Sequence, residues 1–343
     1  MTTTPSWWDR IRNSGLFWPL VALSIVMVFN VFFTPNFFRL EIKDGHLFGT
    51  LVDILNRGSP LMLLAIGMTT VIATAGVDLS VGAVIAICAA AATAMIGSTT
   101  GATDMPLWLV VMLSLGAAIL CGLWNGILVS RGRIQPMVAT LVLMVAGRGI
   151  AQLITDGRII TIYYQPFFYI GSGFLFGLPF PLYIVAAVLI FALYMTRRTA
   201  IGLFVESVGT NASSSFHSGV NEKNIKLVIY TFCSFCAGIA GLIISSNVKS
   251  ADANNAGRFI ELDAILAVVI GGTLMSGGRF SLAGSIIGAL LIQSVTTTIY
   301  TFGVPPEVVQ VVKAVMVLTV VLLYSDSAKS ALDKLSRRQG APA

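Results

Sequence analysis

Residues 59–97 read SPLMLLAIGMTTVIATAGVDLSVGAVIAICAAAATAMIG, and the only charge in the stretch is Asp78. A helix needs about 20 apolar residues to cross a hydrocarbon core roughly 30 Å thick. Each half of the stretch is therefore long enough for one crossing. Gly76 and Gly82 flank Asp78 and let the backbone turn there, which predicts two antiparallel membrane helices over 59–75 and 79–97.

The rest of the chain agrees with that reading. Of 343 residues, 56% are hydrophobic and 10% are charged, whereas an ordinary soluble domain carries about 25% charged residues. This excludes a water-soluble globule and a disordered chain. The net charge of +6 is not gathered into one basic face, so nucleic acid is excluded as a partner. Apolar runs recur near 16–33, 59–75, 79–97, 107–129, 137–155, 181–196, 225–247, 262–276, 281–300 and 307–324. The predicted fold is an all-α polytopic membrane protein with about ten transmembrane helices, some broken by glycine. Its parts are an N-terminal segment over 1–15, a membrane domain over 16–324 and a C-terminal tail over 325–343. Two runs are weak: 59–97 breaks at Gly76 and Asp78, and 262–276 is short and dissolves into Gly271-Gly272 and Gly277-Gly278. If a weak run is re-entrant, the count falls to eight or nine.

Charge sets the orientation. With the N-terminus inside, 13 of the 21 Lys and Arg residues fall inside, six outside and two (Arg148 and Lys313) within the membrane. That is the direction the positive-inside rule requires, and it makes both termini cytoplasmic. The first apolar run follows Arg10 and Arg12 but is too long for a signal sequence and has no small-x-small cleavage site, so it reads as an uncleaved helix. Cys88, Cys121, Cys233 and Cys236 all lie in apolar stretches and read as packing residues. His46 and His217 are far apart, and no metal site can be assembled from them.

Polar residues at bilayer depth need a reason, because an ionisable group there costs about 2.5–3.5 kcal/mol. Asp78 reads either as a cap at a tight turn or as a residue of a transport path. Arg148, between Gly147 and Gly149, either snorkels or faces a polar cavity, and Gln152 lies one helical turn away on the same face. Asn125 either bonds a neighbouring helix or lines the path, and Lys313 reads as a snorkelling lysine. The glycine spacing of Gly76 to Gly82 returns, weakly, at Gly278 to Gly284. Outside, Asp252-Ala253-Asn254-Asn255-Ala256-Gly257 gathers hydrogen-bonding groups near an entrance. Asp252, Asn254 and Asn255 are thus candidates for the mouth or for partner docking. Inside, the longest loop (197–224) carries Glu206, Gly209, Asn211 and Gly219 and can form a short helix along the membrane.

Absent motifs narrow the function. The chain has no Gly-Lys dipeptide, hence no phosphate-cradling G-x-x-x-x-G-K-[ST], and it has no nucleophile elbow and no zinc-protease motif. No catalytic residue and no cofactor is predicted. Asp78 is nearly alone as a buried acid, which weighs against a carrier driven by its own ion gradient. A non-transporting scaffold would need neither the glycine-broken spans nor the large inside loop. A membrane path without an engine points to an engine supplied by a partner.

The blocks LAIGMTTVIAT (64–74), AGVDLSVGAV (75–84) and LDAILAVVIGG (262–272) resemble the permease subunits of bacterial ATP-driven (ABC) sugar importers of the ribose type, over about residues 50–324. Within that group LWNGILVS (123–130), IQPMVATLVLMVAGRGIAQLIT (134–155) and ADANNAG (251–257) look most like one of the two permeases of galactofuranose importers. The resemblance implies a multi-pass subunit of the bacterial inner membrane. Its partners would be a sister permease, an ABC ATPase and a periplasmic sugar-binding protein; ribose or another pentose is the alternative cargo. It also implies that residues 199–222 couple to the ATPase. The group shows Gly-x-Asn and then paired alanines there; this chain has Gly209-Thr210-Asn211 and then Ala212-Ser213-Ser214.

Overall fold

A computed structural model describes residues 16–34, 37–43, 45–97, 105–305 and 307–315. The expected segments 1–15 and 325–343, and the end of the last apolar run, lie outside the described residues.

Apolar runs become helices because in lipid only a helix satisfies its own backbone groups. In chain order the helices are α1 (Phe17–Phe33), α2 (Thr50–Ala73), α3 (Val81–Ile96), α4 (Leu107–Ser130), α5 (Pro136–Ile154), α6 (Gln165–Ser172), α7 (Phe180–Arg197), α8 (Ala200–Thr210), α9 (Ala212–His217), α10 (Glu222–Val248), α11 (Ile260–Ile270) and α12 (Leu282–Thr301). Residues 307–315 are also helical. Among the described residues six helices are long and apolar enough to cross a membrane: α2, α4, α5, α7, α10 and α12. The chain is thus a helical, multi-pass membrane protein. Nine of the ten apolar runs carry one of these helices and the described part of the tenth, 307–315, is helical, but α1, α3 and α11 are shorter than a full crossing by this measure and residues 271–276 are not helical.

The chain divides into two compact units, residues 1–294 and 295–343. In the first, α10 is the axis, packed by α2, α3, α4 and α6. Small residues make this closeness possible. A methyl group added at Gly122 of α4 would stand 2.7 Å from the Thr231 Cα, and one at Gly67 of α2 would stand 2.9 Å from the Cys233 Cα. Helix association in lipid relies on such backbone approach and on interhelical hydrogen bonds. The Thr69 hydroxyl donates to Ser285 Oγ at 2.7 Å, and Ser246 Oγ donates to the Phe167 carbonyl at 2.7 Å. Cys88, Cys233 and Cys236 are buried thiols within this packing.

α2 begins at Thr50, well before the apolar run at 59, and takes Asp53 and Arg57 into its first turns. Hydropathy marks membrane depth, whereas helix formation continues into the polar interface. Pro60 sits inside the same helix without ending it.

At one end of the first unit the connections form three small antiparallel pairs: β1 (Glu41–Lys43) with β2 (His46–Phe48), β4 (Phe174–Leu175) with β5 (Leu178–Pro179), and β3 (Ile160–Thr161) with β6 (Ser250–Ala251). The first two hairpins touch, since His46 stacks on Phe174 at 4.6 Å and the Leu47 amide donates to the Gly177 carbonyl at 2.9 Å. Lys43 and Arg39 flank Glu41 and hold its carboxyl below the ordinary range. The opposite end gathers the α2–α3 turn, the α4–α5 turn, α8, α9 and the loop after α11. Residues of the first four, among them Gly76, Pro136 and Gly209, line one cavity of about 270 Å³ together with Tyr230 of α10.

Candidate functional site

The α2–α3 turn is built around Asp78. α2 closes with Ala75 in a left-handed conformation (φ 57°), and Asp78 Oδ1 then accepts hydrogen bonds from the Ser80 amide (2.9 Å) and hydroxyl (2.6 Å). This bond from the amide two residues on is an Asx-type turn, which fixes the chain as it enters α3. Asn125 of α4 donates through Nδ2 to Ser80 Oγ at 2.8 Å and, more weakly, to Asp78 Oδ1 at 3.5 Å. Thr140 of α5 accepts from the Leu79 amide at 3.1 Å. Asp78, Ser80, Asn125 and Thr140 are all fully buried. Within this chain Asp78 and Asn125 therefore tie helices together. Among the described residues Asp78 Oδ2, Asn125 Oδ1 and the Tyr230 hydroxyl find no hydrogen-bond partner.

The second cluster lies on α5. Arg148 is half-buried, and its Nη1 donates to the carbonyls of Ala253 (3.2 Å) and Ala256. Gln152 Nε2 donates to Asn254 Oδ1 at 2.5 Å. Asp252 accepts from the amides of Asn254 (2.9 Å) and Asn255 (3.3 Å) and from the Asn255 side chain (2.6 Å). Arg148 and Gln152 are thus brought together with Asp252, Asn254 and Asn255, which sequence reading had kept in a separate group. The Arg148 guanidinium is thus directed at backbone carbonyls of the segment between β6 and α11.

The third group is the α8–α9 loop. Asn211 caps α9 by accepting from the Ser214 amide at 3.0 Å, and Gly219 makes a left-handed turn (φ 84°) behind it. Gly209 is pressed against the Ala73 carbonyl, and a methyl there would also stand 2.6 Å from the Gly278 amide. That amide in turn donates to the Ala73 carbonyl at 2.9 Å. The two weakly repeated glycine turns therefore meet, with Gly209 between them. Glu206 lies one turn earlier on α8, partly exposed beside Arg197.

The family profile described as branched-chain amino acid transport system / permease component matches residues 50–321. The chain is 50% identical over 329 residues to the galactofuranose transporter permease protein YtfT of Escherichia coli, covering 94% of this chain and 93% of that one. The chain belongs to this permease family. The permease is also 35% identical to the fructose import permease protein FruF of Bifidobacterium longum (96% and 93% covered). To the ribose import permease protein RbsC of Escherichia coli it is likewise 35% identical (89% and 92% covered). No solved structure matches it. As a permease component, it is a transport subunit and not a catalytic one.

Sequence reasoning missed Glu261 and the bonds to the carbonyls of Ala253 and Ala256. Glu261 stands at the seam between a loop and a short apolar run, yet it is only 4% exposed. Asp78 is thus not the sole buried acid, and the argument from scarcity loses part of its force. Ser80 and Thr140 gave no signal, since hydroxyl residues are ordinary in membrane helices. Among the described residues no group of His, Cys, Asp and Glu could hold a metal ion.

Proposed function

We propose that the permease forms, with a related sister permease, the inner-membrane path of an ATP-driven sugar importer, and that its sugar is galactofuranose. The observation that carries this reading is the 50% identity to a galactofuranose permease over nearly the whole of both chains. In this reading ten helices span the membrane and both termini are cytoplasmic. The β-hairpin end faces the periplasm and a sugar-binding protein. The end bearing α8 and α9 faces an ABC ATPase.

Residues 197–224 are the coupling loop. Phe216 on α9 is 66% exposed and offers the ATPase an apolar knob. Glu206 and Asn211 shape the loop, Gly219 closes it, and Gly209 lets it press on the α2–α3 turn and the loop after α11. Closure of the ATPase would push α8 against Ala73 and Gly278, and the rigid Asp78–Ser80–Asn125 joint would carry that push into α3 and α4. Affinity for sugar can reside in the binding protein, so the path needs few polar groups. Arg148, Gln152, Asn254 and Asn255 supply them, with Asp252 at the entrance; Asp78 and Asn125 act as the joint behind them.

The test is uptake of labelled galactofuranose into proteoliposomes holding both permeases and the ATPase, with binding protein outside and ATP inside. Uptake that requires both and resists ribose competition is expected. The 35% identities to fructose and ribose permeases favour a second cargo, and ATP-dependent uptake of ribose alone would replace the sugar. Uptake driven by an ion gradient without ATP would overturn the class.

A further inference from the structure

Residues 252–259 do not stay at the rim of the bundle. β6 pairs with β3, which lies beyond the end of α5. A few residues later Ala253 and Ala256 meet Arg148, about 9 Å before α5 ends at 1.5 Å per residue. The segment has therefore re-entered the bundle. It lies against Ala86 and Ala90 of α3 and Ala151 of α5, and farther in Gly257 comes close to Gly82. α11 then starts deep and is only about 16 Å long.

The bed of this segment is mostly small side chains, Ala86, Ala90 and Ala151, with Ile85 and Ile87 of α3 beside them, so the segment lies close with little interlocking. What ties it to α5 is polar: Arg148 on two carbonyls and Gln152 on Asn254. Gly257 and Phe259, both left-handed at φ 64°, stand where the segment turns into α11. Beneath it Glu261 packs against Gly82, with Oε2 buried and unpartnered. Arg148 and Glu261 act on each other through charge, but no ion pair joins the two among the described residues. An arginine held by neutral carbonyls near a carboxylate with one oxygen unpartnered has two places to bond, and a two-state element needs such an alternative.

Resting on the importer reading above, we propose that residues 252–259 are the outer gate of the sugar path, latched shut by Arg148 and Gln152. The latch holds the segment down while the binding protein is absent. Docking lifts it, and the guanidinium turns toward Glu261.

Two measurements on the reconstituted complex, in a Cys121→Ala background, test this. In the first, Ala253→Cys is labelled with a maleimide; adding Arg148→Gln should speed labelling by about tenfold, the scale of one lost charged hydrogen bond. Should that variant fail to assemble, Gln152→Ala should speed it about threefold. Unchanged labelling overturns the latch. In the second, Gln152→Cys and Asn254→Cys are cross-linked; uptake should stop and return on reduction. Cross-linking Thr161→Cys to Ser250→Cys, which are opposed on β3 and β6, should leave uptake intact. Uptake at the uncross-linked rate with 152 and 254 joined overturns the gate. Absence of ATP-dependent uptake in the unaltered complex would defeat the importer reading instead, and the labelling rates would still decide the latch.

Discussion

At the scale of single residues, Asp78 is where structural and transport roles separate. Its Oδ1 holds the Ser80 amide and hydroxyl, while Oδ2 has no partner. Asp78→Asn keeps the Oδ1 acceptor and places an amide where no bond existed, so the complex should assemble and take up sugar at near the original rate. Asp78→Ala orphans a buried amide and hydroxyl, each worth about 1–3 kcal/mol. It should lower the melting temperature in detergent and the yield of assembled complex. Full assembly of Asp78→Asn with uptake abolished would show that the charge itself serves transport. Glu261 is the complementary case: Glu261→Gln preserves shape but removes the second partner of Arg148. Uptake should fall about tenfold, roughly 1.4 kcal/mol, with assembly unchanged; an unaltered rate would leave Arg148 with no alternative bond.

At the scale of elements, the tightest joint is Gly209 between Ala73 and Gly278. A methyl group there must displace backbone, not a flexible side chain, and overpacking of that kind costs about 1–3 kcal/mol. Gly209→Ala should assemble with reduced stability, and its ATPase should lose stimulation by the loaded binding protein more than it loses basal hydrolysis. Equal loss of both would mean that the joint only supports the fold. The helices themselves were legible, because hydropathy over 20 residues reports a local property of the chain. The break at Asp78 was legible for the same reason, since two glycines and an acid interrupt one apolar run. The re-entrant path of 252–259 was not. Its polar composition is what an exposed loop also has, and only the carbonyls that Arg148 finds across α5 reveal the difference. The partnership of Asn125 with Ser80 joins residues 45 positions apart, a contact that periodicity along one helix cannot report.

At the scale of the molecule, the charge bias that orients the chain sits mostly in its two terminal segments. Of the 13 basic residues assigned inside, six are in 1–15 and 325–343; the loops between the helices hold seven inside against six outside. The positive-inside rule weighs charges close to helix ends, and the termini therefore carry most of the bias. Arg258, moreover, belongs to the re-entrant segment, so its weight as an outside charge is reduced. The two ends of the bundle nevertheless offer unambiguous reporters. Phe176, at the tip of the β4–β5 hairpin, is 92% exposed, and Phe216 on α9 is 66% exposed at the opposite end. In a Cys121→Ala background the remaining native thiols are buried, so a single introduced cysteine dominates labelling. With the outer membrane permeabilised and the inner membrane intact, an impermeant maleimide should label Phe176→Cys and not Phe216→Cys. Breaking the inner membrane should expose the second. The reverse pattern would put α8 and α9 in the periplasm, where no ATPase can reach them, and the coupling role of Gly209 would fall with the orientation.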